Sequence, residues 1–166
     1  MRLRRSELST PASSERMIEK AAGGNADLVF LDLEDSVSPN EKVAARAKAI
    51  QALKTLDWGK KTRAVRVNDL ESEYAYQDII SVVEEAGEYL DILIVPKVKS
   101  ARDVWWVDVL LGQIEKRLKR SRLIGLEVLI EEVEAMLNVE EIARASSRLE
   151  AIIFGHIDYS ASPGID

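Results

Sequence analysis

Short unbroken apolar runs alternate with amphipathic segments along this chain, and that alternation restricts its fold more than any other feature. The runs are LVFLDL (28–33), TRAVRVN (62–68), DILIVPKV (91–98), RLIGLEVLI (122–130) and LEAIIFG (149–155). The N-terminal RLRRSELST is expected to supply a first strand. Short continuous apolar runs suit strands buried on both faces, as in parallel sheets. Between them lie helical patterns. In SPNEKVAARAKAIQAL, Ser38 is the expected N-cap, Pro39 the first helical residue and Glu41 the capping-box acid, with the helix running to about Leu56. YAYQDIISVVEEAG is expected to be a helix closing near Gly87, and Ser100 is expected to cap ARDVWWVDVLLGQIEKRLKR. EEVEAMLN and VEEIARAS read as short helices. Strands alternating with helices imply a parallel sheet covered by helices. An open doubly wound sheet and a closed (β/α)8 barrel both satisfy the pattern. A barrel typically takes ~250 residues, and about six units fit in 166 residues. Either the sheet is open, or the chain is shorter than the fold it encodes, or another subunit closes the gap.

Composition narrows the function classes. At 46% hydrophobic and 31% charged residues the chain can bury a core, and a single domain over 1–166 is expected. It has no cysteine, which excludes disulfides, thiolate metal sites and a thiol nucleophile. The N-terminal basic residues are not followed by an apolar stretch, and no apolar run approaches the ~20 residues that cross a bilayer. A cytoplasmic protein without a membrane partner is expected. The net charge of −6 argues against nucleic acid. The basic run KRLKRSR (116–122) is either a solvated helix end or a contact for ligand phosphates.

Ligands of parallel α/β folds bind at the carboxyl ends of the strands. Charges of both signs fall there: Asp32, Glu34 and Asp35 after the second run, Arg66 and Asn68 at the third, Lys97 at the fourth, Glu131 at the fifth and Asp158 past the sixth. Alternation puts Arg66 with Asn68, and Glu127 with Glu131, on common faces. Each has a plain structural alternative. Asp32 and Asp35 can cap a turn, Arg66 can be an ion-pair partner, Glu131 can be a first-turn helix acid, and Asp158 can be a turn residue. His156 reads as packing or loop structure, and one histidine cannot build a histidine-rich zinc site. Trp105 and Trp106 read as core and partial surface. GxGxxG, P-loop and nucleophile-elbow motifs are absent. Carboxylates without cysteine or clustered histidine favour a hard cation. Mg2+ takes one or two carboxylates plus oxygen-rich ligands, and Glu131 and Asp158 can supply that pair, with an arginine facing a developing anion.

RSELSTPASSERMIEKA, DLVFLDLEDSVSPNEKVAAR, RVN, VPKV, LEVLIE and FGHIDYSAS follow one another in this order. The series resembles the citrate lyase β-subunit / malyl-CoA lyase family of the HpcH/HpaI aldolase group across essentially the whole chain. The resemblance implies a Mg2+-dependent lyase in a (β/α)8 TIM-type barrel, here apparently cut after about six units, assembled as trimers or hexamers. It implies cleavage of a 3-hydroxy-acyl-CoA thioester (malyl-, methylmalyl-, citramalyl- or citryl-CoA) into an acyl-CoA and an oxo acid. By the same resemblance the metal carboxylates are Glu131 and Asp158, the active-site arginine is Arg66, and Glu34 and Asp35 orient Arg66, Lys97 or metal-bound water. Two departures stand out. The family's PG of the first loop is Pro11-Ala12 here. Its remaining strands and C-terminal segment, which carries a catalytic acid or base to a neighbouring subunit, have no counterpart in the sequence.

Three readings follow. The first is a Mg2+-dependent CoA-ester lyase, the second a non-catalytic remnant or accessory subunit that keeps the metal site, and the third a Schiff-base aldolase using Lys97. Acids around Lys97 should keep it charged, which disfavours the third. An unfinished barrel has bare edges, so a homo-oligomer is expected.

Overall fold

A computed structural model describes residues 4–162. Strands β1 (Glu7–Pro11), β2 (Leu28–Asp32), β3 (Thr62–Arg66), β4 (Ile92–Val95), β5 (Gly125–Ile130) and β6 (Leu149–Phe154) form one sheet. Their order is β1-β2-β3-β4-β5-β6 and every neighbouring pair is parallel. The doubly wound alternative fails here, because it needs the strand order to reverse at a switch point. Sequential winding of β/α units is the arrangement of a (β/α)8 barrel. Residues 2 and 3 of the expected first strand lie outside the described residues, as do the last four of the chain.

The helices are α1 (Glu15–Ala22), α2 (Lys42–Thr55), α3 (Ala75–Ala86), α4 (Ala101–Arg117), α5 (Val133–Leu137), α6 (Val139–Arg144) and α7 (His156–Ala161). One face of the sheet packs Val29, Leu31, Val65, Leu93 and Val128 against helix residues such as Ile18, Ala49, Ile79, Val104 and Leu111. The other face makes a smaller cluster of Leu28, Phe30, Ala64, Ile92, Ile94, Leu129 and Ile153. Burial on both sides explains why β4 and β5 are apolar without alternation. Glu127 is the exception in β5. It is fully buried and pairs with Arg4 at 2.9 Å.

Several local expectations change. Ser38 is the N-cap, with Pro39 the first helical residue as expected, but without a side-chain cap bond and of a 3-10 helix at Pro39–Glu41 in place of an α-helix. Its hydroxyl donates to Glu41 at 2.8 Å while α2 starts at Lys42. Ser100 does start α4, with Asp103 accepting the Ser100 and Lys99 amides at 2.8 Å each. Trp105 and Trp106 are both exposed rather than core. The basic run is neither free nor near the rim of acids. Arg117 pairs with Glu84, Arg120 donates to the carbonyl of Gly87, and Arg122 pairs with Asp91, just before β4 begins. Its guanidiniums thus close the C-terminal end of α3, at the opposite end of the sheet from Arg66.

Pairing of β5 with β6 is irregular. Leu126 faces Leu149, but Glu127 faces Ala151, so Glu150 is an extra residue in β6. On this last strand Ile152 and Phe154 are exposed, as is Ile157 just beyond it.

Candidate active site

The carboxyl ends of β2, β3, β4 and β5 and the start of α7 bring together most of the charges singled out in the sequence. At the end of β2, Asp32 is completely buried. Its carboxylate accepts Arg66 Nε at 2.7 Å and Nη2 at 2.8 Å, a two-pronged pair between adjacent strands. It also accepts the backbone amides of Glu34 at 2.9 Å and Ser36 at 3.1 Å. Asp32 is therefore both the turn cap and the group that orients Arg66. Burial pushes its carboxyl up, but Arg66 and the amides outweigh burial and hold it below its ordinary value. The third side of Arg66, Nη1, lies 3.1 Å from Glu34 and 3.9 Å from Asp35. The Phe30 ring lies under the guanidinium at 5.8 Å.

Glu34 is buried and lies between two cations, Arg66 and Lys97 Nζ at 2.8 Å. Burial nonetheless raises its carboxyl above the usual range. Asp35 is half-exposed and more distant, 3.6 Å from Lys97. Of the two acids expected to orient Arg66 and Lys97, Glu34 makes the close contacts, and Asp32 makes closer ones to Arg66. Burial lowers the Lys97 ammonium, but Glu34, Asp35 and Glu131 more than offset it, so the amine stays protonated. That disfavours the Schiff-base reading. Lys42 fastens the loop from behind, donating to the carbonyls of Leu33 at 3.0 Å and Glu34 at 2.9 Å.

Asn68 does not join Arg66. β3 ends at Arg66, so strand alternation does not carry on to Asn68. Its side chain bonds Asp78 of α3 at 2.6 Å and Lys42 of α2 at 2.5 Å.

Glu131 follows β5 and is 2% exposed. Its Oε1 accepts the backbone amide of Lys97 at 2.7 Å. Its carboxyl also meets that of Asp158 in the first turn of α7. Burial, reinforced by the charges of Glu34 and Asp158, pushes Glu131 up to about 7 despite the Lys97 amide. Asp158 belongs to neither a strand nor a turn, because the chain folds into α7 at His156. His156 is exposed at the start of that helix and does not pack in the core. Gly155 makes room for the acid. A Cβ there would lie 2.7 Å from Glu131 Cβ and 2.8 Å from its Oε2. Ion pairs thus link Arg66, Glu34 and Lys97, and the Lys97 amide carries the chain of contacts on to Glu131, whose carboxyl Asp158 influences.

Burial and the neighbouring carboxylates raise Glu131 to about 7, as expected where two acids share a site. The donor set, carboxylates with neither cysteine nor a neighbouring imidazole, fits a hard divalent ion. Among the described residues no cluster of three acidic, histidine or cysteine side chains is preformed for a metal. A cation held here would draw its further oxygens from water or substrate. The turn cap expected of Asp32 is present, whereas its two-pronged hold on Arg66 and the bond from the Lys97 amide to Glu131 are not read from the sequence. The short spacing from Asp32 to Ser36 signals a side-chain-capped turn, whereas nothing in PKV marks the backbone shape at Lys97.

Comparison with known proteins places this geometry in context. The family model described as HpcH/HpaI aldolase/citrate lyase matches residues 5–166. An L-malyl-CoA/beta-methylmalyl-CoA lyase of Cereibacter sphaeroides is 45% identical over 161 residues, 97% of this chain and 51% of that protein. The crystal structure of RipC from Yersinia pestis is 34% identical with a TM-score of 0.70, over 98% of this chain and 62% of that one. CitE from Mycobacterium tuberculosis, in complex with magnesium, acetoacetate and coenzyme A, is 26% identical with a TM-score of 0.76, over 99% of this chain and 54% of that one. The chain spans about half the length of the curated relatives it matches.

Proposed function

The chain belongs to the HpcH/HpaI aldolase/citrate lyase family, and on that premise we propose that it is the metal-site portion of a Mg2+-dependent carbon–carbon lyase acting on a 3-hydroxy-acyl-CoA thioester. The products are an acyl-CoA and an oxo acid. The observation that carries the reading is the Glu131–Asp158 acid pair, joined through Lys97 and Glu34 to Arg66. Relatives that cleave malyl-CoA and a similar structure that holds magnesium and coenzyme A support it.

Glu131 and Asp158 would hold the ion, which when bound would supply Lewis-acid polarisation of the oxo-acid oxygens. Arg66 faces the thioester side. As the carbon–carbon bond breaks, its electron pair moves into the acyl-CoA fragment as an enolate, and the guanidinium stabilises the growing charge on that oxygen. Asp32 fixes the angle of the guanidinium, with Glu34 on its other flank. Asp35, half-exposed at the lip of the site, completes the acids around Arg66 and Lys97. The base that takes the substrate hydroxyl proton is not among the residues assigned here.

A second reading is a metal-binding accessory chain without turnover. Steady conversion of malyl-CoA by the 166-residue chain with added Mg2+ selects the first reading, and Mg2+ binding without turnover selects the second. Both require the metal pair. Glu131→Ala and Asp158→Ala are each expected to abolish Mg2+ binding by calorimetry while leaving the circular dichroism unchanged. Unaltered affinity in either variant rejects the site. A single domain, self-association as a trimer or hexamer, and a cytoplasmic location complete the proposal. Among the described residues no helix is long and apolar enough to cross a membrane.

A further inference from the structure

Lys97 stands at the carboxyl end of β4, between Pro96 and Val98, with a left-handed backbone at φ 51°. Residues with a side chain rarely adopt that conformation. The other such residue among those described, Lys119, sits just past α4, where left-handed residues commonly end helices. At Lys97 no helix ends. What the conformation accompanies is a pair of contacts to acids from two other strand ends. The amide donates to Glu131 Oε1 at 2.7 Å and the ammonium reaches Glu34 Oε1 at 2.8 Å. On the other side of Glu131, Gly155 leaves no side chain in the way. Strain of this kind persists where the surrounding structure holds it in place, and it concentrates at working sites.

We propose that Lys97 is a positioning residue, whose left-handed backbone aims its amide at Glu131 and so sets that carboxylate for a divalent cation shared with Asp158. The inference rests on the reading of Glu131 and Asp158 as the metal pair. It assigns the role to the backbone at position 97 and not to the amine.

Three substitutions separate the two. Lys97→Gly and Lys97→Asn both tolerate positive φ, whereas Lys97→Val, branched at Cβ, disfavours it. All three remove the ammonium equally. With Mg2+ alone as the probe in calorimetry, the Gly and Asn variants are expected to stay within about threefold of the parent chain. The Val variant is expected to lose about tenfold or more, the scale seen when a group supporting a ligand is removed. Thermal midpoints are measured alongside, since a merely structural role would move the midpoint and leave the affinity of the folded protein unchanged. In the unsubstituted chain, the amide resonance of residue 97 is expected to shift on addition of Mg2+, a readout that survives even if the Val variant does not fold. Equal affinity in folded Gly and Val variants overturns the inference, as does an amide resonance unmoved at saturating Mg2+. A parent chain that binds no Mg2+ removes the metal reading and this inference together. A parent that binds Mg2+ without the Gly–Val contrast removes this inference alone.

Discussion

Asp32 is completely buried, holds two prongs of Arg66 and caps the turn leading to Glu34. Removing one member of a buried pair costs up to about 3–5 kcal/mol, and without Asp32 the partly buried Arg66 keeps only Glu34 close by, at 3.1 Å. Asp32→Ala is therefore expected to lower stability by up to that amount in urea unfolding at neutral pH. Asp35→Ala, whose side chain is half-exposed and 3.6 Å or more from its cations, is expected to change it by less than about 1 kcal/mol. Equal losses would contradict the division of labour between the two acids. At Gly155 the expectation concerns function more than stability. A methyl group there meets Glu131 at both Cβ and Oε2, so Gly155→Ala should displace the carboxylate and weaken Mg2+ binding by about tenfold. Calorimetry showing parental affinity would mean that Glu131 accommodates the contact.

At the level of elements, the six strands and the longer helices were readable because burial on both faces leaves an apolar signature and the helices keep their own period. The carboxyl-end acids and Arg66 were readable because charge at the end of an apolar run is conspicuous. Other features left no such mark. α7 leaves no mark in the sequence, since HIDYS has no capping side chain, and the helix indeed begins without one. Asn68 was assigned by alternation to a strand that had already ended. The start of β4 offers a pH test. Asp91 accepts the amide of Arg63 at 2.9 Å and its Nε at 3.0 Å, and pairs with Arg122. Burial raises the Asp91 carboxyl, but these partners more than reverse that and leave it below its ordinary value. A carboxyl depressed in the folded state stabilises the fold above the unfolded value of about 3.9, and that contribution is lost as pH falls through the folded value. Asp91→Asn should lower the urea midpoint at pH near 7 and flatten its decline below about pH 4. A variant whose midpoint falls as steeply with acid as the parent's would show that Asp91 contributes nothing to the acid response.

At the scale of the whole molecule, both edges of the sheet carry exposed apolar side chains. Ile152, Phe154 and Ile157 are 38%, 52% and 74% exposed at one edge, and Leu8 is 43% exposed at the other. Uncovered strand edges recruit partners, so sedimentation should show association that Phe154→Glu reduces; a parent chain that sediments as a monomer at all concentrations would rule this out. The extra residue in β6 has a longer reach than its size suggests. Had Glu150 not interrupted the pairing, the match of Leu126 with Leu149 would run on to set Phe154, not Gly155, beside Glu131. A benzyl group would then fill the space the acid occupies, and Asp158 would be carried out of phase with it. The one-residue irregularity at Glu150 therefore sets the spacing on which the meeting of the two acids depends.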